Sequence, residues 1–211
     1  MQSVVDNVAR PMMATNEEEA ARAGVYGLLG NLFAAPPTRA LLGAIAAGSR
    51  TEQASIAAFA AGLRRLCDSA VSGDAGAIAD EFDELFVGVS TSRVNCYAGH
   101  YLKSAGVKNL LAALRADLAR FGLAARAGSG EPEDHIGALC EAMRLLIAGD
   151  GTAAPAGLAA QREFYIQYIK PWYRDFCAAV RGAEGARFYA VAADFAESFF
   201  DLESDSFELL D

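Results

Sequence analysis

A carboxylate beside an imidazole can move a proton, and Asp134-His135, with Glu131 three residues earlier, is the candidate set for such work in this 211-residue chain. His100 is the only other histidine. Neighbouring residues on a helix point about 100° apart, so Asp134 is poorly placed to orient His135 as the acid of a triad does. The chain has no G-x-S-x-G elbow, no G-x-x-x-x-G-K-[ST] loop and no H-E-x-x-H. A small hydrolase using Asp134 and His135 is therefore the weaker alternative, and no catalytic residue is assigned.

Binding chemistry suits the same segment better. Asp134 could accept hydrogen bonds from a guanidinium, a strong and geometrically selective pairing. A plainer reading competes with it. In Glu131-Pro132-Glu133-Asp134-His135, Pro132 fits a first helical turn, and Glu133 and Asp134 fit its unpaired amides and positive dipole end.

Cys67, Cys96, Cys140 and Cys177 are scattered, without C-x-x-C spacing or a nearby histidine, so neither a metal nor a cofactor is expected. Cys67, Cys140 and Cys177 fall on apolar helix faces, as small core hydrophobes do. Residues 1–130 carry 12 acids and 12 bases, whereas residues 131–211 carry 15 acids and 6 bases. That acidic half disfavours nucleic acid and would favour a basic partner, although solubility alone explains charge as well. No apolar run approaches the ~20 residues of a membrane span, and Met1 to Arg10 lacks the pattern of an export signal. A cytoplasmic protein is expected, without stable membrane insertion.

The elements that must position Asp134 and His135 read as helices throughout. Roughly a fifth of the chain is alanine, which favours helix and leaves the aromatics to anchor the core. A loose arm, residues 1–14, precedes a capping box at Thr15-x-x-Glu18 and a helix from Ala20 to Phe33. Gly24, Gly27 and Gly30 on that helix suggest close approach by a neighbour. Thr38 can cap a short helix through Ala47, and Phe59, Leu63 and Leu66 mark the next. Ala75 to Val87 follows, with Phe82, Leu85 and Phe86 inward at core spacing and Glu81 and Glu84 mostly outward.

After a loop to Asn95, a long helix is expected from Tyr97 to Phe121. A hinge at about 124–133 then leads to a helix from Asp134 to Ala148. Ala159 to Val180 is helical but interrupted at Pro171. A last helix spans Ala186 to Leu202, and 203–211 reads as an acidic tail. The expectation is an all-α, single-domain bundle of about nine to ten helices over 15–202, in two halves joined by the hinge.

Three segments together resemble one family. Phe82-Asp83-Glu84-Leu85-Phe86-Val87-Gly88 resembles its aromatic-x-x-Leu-Phe-x-Gly motif, and Glu131 to His135 its Glu-Pro-x-Asp-His motif. Phe164 to Trp172 resembles its late aromatic helix ending in Pro-Trp. The family is that of the TorD/DmsD/NarJ-like cytoplasmic chaperones, which mature molybdenum-containing redox enzymes. The resemblance implies an all-helical chaperone without catalysis. It would bind the twin-arginine leader, or the apo form, of a molybdopterin oxidoreductase catalytic subunit and delay export until cofactor insertion. It also implies client-binding positions at Phe82, Leu85, Phe86, Tyr97, Glu131, Asp134 and His135. A NarJ-type chaperone for a non-exported subunit is the alternative, and either would be a monomer or a domain-swapped dimer. The chain departs from the family at Cys96-Tyr97-Ala98-Gly99, which lacks the usual Pro and Ser.

Overall fold

Helical periodicity becomes ten α-helices in the computed structural model, which describes residues 16–48, 57–88, 92–102, 109–123, 132–149, 151 and 154–210. In chain order they are α1 (Asn16–Ala34), α2 (Arg39–Gly48), α3 (Ala57–Ser72), α4 (Ala75–Phe82) and α5 (Ala98–Tyr101). Then come α6 (Leu110–Arg120), α7 (Ile136–Ala148), α8 (Leu158–Tyr168), α9 (Tyr173–Gly182) and α10 (Phe188–Glu208). Among the described residues no strand forms. No described helix is long and apolar enough to cross a membrane. The expected arm (1–14), Thr15 of the capping box, and residues 124–131 of the expected hinge, Glu131 included, lie outside the described residues.

Local signals set several boundaries. Thr38 Oγ1 accepts the Leu41 amide at 3.1 Å and Asp74 Oδ1 the Ala77 amide at 3.0 Å, so α2 and α4 start at side-chain caps. Pro171 separates α8 from α9 as expected. Three boundaries differ from the sequence reading. The long helix expected over Tyr97–Phe121 is two helices, and Asn109, in the left-handed region at φ 67°, precedes the second. Helix α7 begins at Ile136, not Asp134, with His135 extended as its N-cap. Helix α10 runs to Glu208, past the expected end at Leu202.

The elements before and after the expected hinge interleave, with α1 against α7 and α10 against α3 and α4, while α10 also packs on α9. The α1–α7 crossing is close because both helices offer glycine there. A Cβ at Gly137 would stand 3.0 Å from the Gly30 carbonyl oxygen. Gly27 and Gly30 thus face α7, but Gly24 has nothing within 4 Å and takes no part. Aromatic side chains fill the spaces that alanine leaves. Phe33 meets Phe86, Phe176 and Tyr189, and Phe176 meets Trp172. Such pairs add roughly 0.5–1.5 kcal/mol each beyond their burial.

One polar cluster crosses this core. Glu203 of α10 accepts from Arg22 Nε at 2.7 Å, Arg22 Nη2 at 2.8 Å and the Tyr26 hydroxyl at 3.0 Å. Gln161 Oε1 accepts from Arg22 Nη1 at 3.0 Å, so α1, α8 and α10 are tied through one guanidinium. These bonds, with Ser204 Oγ 2.8 Å from the Tyr165 hydroxyl, draw residues 203–204 into the core and keep α10 helical.

Candidate functional site

Helix α4 ends at Phe82 and passes directly into a π-helical turn, Asp83–Val87. Such turns are rare and are frequent at functional sites. Phe82 and Leu85 point into the core and are buried, while Phe86 is half-buried between Phe33 and Tyr189. Val87, 61% exposed, faces out. From here the chain returns along the turn, and the Val94 amide donates to the Leu85 carbonyl at 2.9 Å.

Residues 95–97 then run beside the corner that opens α7, with Tyr97 extended, and lead into α5 at Ala98. The Ala98 amide donates to the Asp134 carbonyl at 3.0 Å, and the Ile136 amide to the Cys96 carbonyl at 2.8 Å. Together they form an isolated antiparallel bridge between Tyr97 and His135. The Tyr97 ring, half-buried, meets the His135 ring edge-on with centroids 5.2 Å apart. Asn95 Oδ1 accepts the Tyr97 amide at 3.0 Å, an Asx-type turn that starts this segment. At its end the Tyr101 hydroxyl donates to the Asn95 carbonyl at 2.8 Å, and the Tyr101 ring stacks on Trp172 at 5.3 Å.

Asp134 and His135 are both buried and both act as caps. Asp134 Oδ2 accepts the Gly99 amide at 2.9 Å, across 35 positions of sequence. His135 Nδ1 accepts the Gly137 amide at 3.1 Å, which places the proton of the neutral ring on Nε2. The sequence reading of Asp134 inside the first turn of α7 is therefore corrected. Its carboxylate serves α5 rather than its own helix, because the bridge to Tyr97 holds His135 extended and α7 starts only at Ile136. As arranged, the Asp134 carboxylate accepts the Gly99 amide and the His135 imidazole the Gly137 amide, so each holds a turn of backbone.

Sequence reasoning missed Gly99 and Glu81. Gly99 carries the amide that Asp134 accepts, and the absence of a side chain at the start of a short helix was the available signal. Glu81, expected to face outward, accepts the Arg187 and Tyr189 amides at 2.8 Å each and the Phe188 amide at 3.2 Å, capping α10. No local pattern announces a cap that comes from 106 to 108 residues away. Beside it, Glu81, Asp74, Asp80, Glu84, Arg187 and Phe188 help to line a cavity of about 530 Å³.

Four acids of the excess after residue 130 are engaged by bases from the other half of the chain. Glu133, Glu163, Asp194 and Glu203 pair with Arg115, Arg120, Arg65 and Arg22, all bases of the first 130 residues. The hydrogen bond from Arg115 holds the Glu133 carboxyl below its ordinary value. Burial pushes the Cys140 and Cys177 thiols and the Tyr101 phenol well up, so these groups stay neutral and unreactive. Among the described residues no group of three His, Cys, Asp or Glu side chains is placed to hold a metal ion.

The sequence profile of the nitrate reductase delta subunit family matches residues 50–178, a span that holds the π turn, the Asp134–His135 corner and Pro171-Trp172. No curated protein matches the sequence. Among solved structures, the fold is similar to that of a proposed redox enzyme maturation protein from Archaeoglobus fulgidus. The TM-score is 0.55 at 17% identity, over 87% of this chain and 93% of that one, a likeness of fold. With a profile match over more than half its length and its three motifs meeting on one segment, this chain belongs to the nitrate reductase delta subunit family of NarJ- and TorD-like proteins.

Proposed function

We propose that this protein is a cytoplasmic maturation chaperone for a molybdopterin-containing oxidoreductase. It binds the catalytic subunit, through its twin-arginine leader or in its apo form, and delays export until the cofactor is in place. Family membership supports the general role, and one geometric observation supports the location of the site. The π turn, the Glu-Pro-x-Asp-His corner and the Pro-Trp turn all touch the short segment 94–101, through Leu85, Asp134 and Trp172. Three distant motifs converging on one irregular segment is the arrangement of a shaped binding surface on a rigid helical scaffold.

On this reading the half-buried Phe86 and Tyr97 form the client surface, His135 backs the Tyr97 ring from within, and Glu131 of the same motif is a client-binding residue. Phe82 and Leu85 lie beneath it and hold Phe86 in place, and Asp134 lies at its base. The protein itself catalyses nothing. A NarJ-type reading, in which the client is a non-exported subunit gripped without a leader, is favoured by one observation. Asp134 Oδ2 is already engaged by Gly99, which leaves the acid less free for a leader's arginine.

Calorimetric titration separates the two. The titrants are a synthetic leader peptide from the molybdopterin oxidoreductase encoded nearest this gene, and its catalytic subunit expressed with and without molybdopterin. Binding to the leader or to the apo subunit, but not to the loaded subunit, is expected. Binding to the apo subunit alone selects the NarJ-type reading, and binding to neither refutes the chaperone.

A further inference from the structure

Resting on that reading, we infer that Asp134 serves client binding as a positioning residue, through its hydrogen bond to Gly99 rather than through its charge. Helix α5 has four residues, and its N-cap residue, Tyr97, makes no side-chain cap of its own. Its first amides are supplied with acceptors from the other side of the corner: Ala98 by the Asp134 carbonyl at 3.0 Å, Gly99 by Asp134 Oδ2 at 2.9 Å. Asp134 is 5% exposed, so its carboxylate sits under the segment and not on its surface. Gly99 completes the fit, since a Cβ there would stand 3.1 Å from the same oxygen. This pair fixes the φ and ψ of the turn into α5. With them it fixes the direction of Tyr97, whose ring stands against His135, and of Tyr101, whose ring lies on Trp172.

Capping and charge recognition make opposite forecasts for one substitution. Asparagine caps about as well as aspartate, but it cannot pair with a guanidinium as an ion. The experiment titrates the wild type, Asp134→Asn, Asp134→Ala and Gly99→Ala with the leader peptide and the apo catalytic subunit. Melting curves and amide hydrogen exchange at Gly99 accompany each titration. Asp134→Asn is expected to bind within about threefold of wild type with Gly99 protected. Asp134→Ala and Gly99→Ala are expected to bind about tenfold more weakly. In Asp134→Ala the Gly99 amide exchanges freely. Gly99→Ala keeps the acid, so it weakens binding only if position matters, and it stands in should Asp134→Ala fold poorly.

An Asp134→Asn variant as weak as Asp134→Ala while Gly99 stays protected would overturn the inference, because charge would then be what the client reads. Wild-type affinity in all three variants would overturn it too. A wild type that binds neither titrant refutes the chaperone reading, and the inference falls with it.

Discussion

Replacing Glu203 by alanine strands a guanidinium in the core, and the cost follows from the bonds it breaks. Three donors lose their acceptor: Arg22 Nε at 2.7 Å, Arg22 Nη2 at 2.8 Å and the Tyr26 hydroxyl at 3.0 Å. The Glu203 side chain is 3% exposed and that of Arg22 14%. Removing one partner of a buried ion pair costs roughly 3–5 kcal/mol. Arg22 keeps Gln161 as an acceptor and is in part reached by water, which points to the lower end, about 3 kcal/mol. For a chain of this size each kcal/mol moves the melting temperature by about 2–4 °C, so a fall of about 6–12 °C is expected. Thermal melts followed by far-UV circular dichroism measure it. The double variant Arg22→Met/Glu203→Leu removes both charges and should recover part of the loss, since apolar replacement of a buried pair is often neutral. It should remain short of wild type by about 1–2 kcal/mol, because the Tyr26 hydroxyl and Gln161 Oε1 each lose a partner. A Glu203→Ala melt within about 2 °C of wild type would refute the reasoning, since a stranded buried charge cannot be that cheap.

Two glycines of α1 and α7 should respond in opposite senses under urea unfolding. Gly137→Ala places a Cβ 3.0 Å from the Gly30 oxygen and 3.1 Å from Ala34 Cβ, and should cost about 1–3 kcal/mol. Gly24→Ala meets nothing within 4 Å and should gain about 0.5–1 kcal/mol; a loss there would contradict the packing described. Glu81→Ala uncaps three amides of α10 and should lower stability by about 1–2 kcal/mol in the same assay, with Glu81→Gln milder. Because Arg115 depresses the Glu133 carboxyl, its contribution is complete above the unfolded value near 4.5 and is lost as pH falls through the lower folded value. Melting temperature against pH, from about 6 to 3, should therefore fall less steeply in Glu133→Gln than in wild type, and parallel curves would count against the pairing.

Where a signal acts within a turn or two of helix, sequence alone determined the outcome. Alanine content and 3.6-residue spacing made an all-helical protein. Thr38 capped α2 and Pro171 parted α8 from α9. Phe82 and Leu85 took the buried side of α4 and the turn that follows it, and the scattered cysteines became core residues. The three family motifs were legible in the same way, each being a local string.

What those strings do to one another was not legible. Pro132, Glu133 and Asp134 have every local reason to begin a helix, yet Asp134 lies outside it because residues 96–99 offer it better partners. Glu203 and Ser204 look like the polar end of a helix, yet Arg22, Tyr26 and Tyr165 bury them within α10. Glu81 looks solvated and caps a helix more than a hundred residues away. Glu133, Glu163, Asp194 and Glu203 look like part of an open negative surface, yet each pairs with an arginine from the other half of the chain. In each case the deciding residue is polar and its partner is distant. A polar group carries no period that betrays its direction, and its free energy depends on whether a complementary group waits where the fold delivers it. Only the tertiary structure settles that.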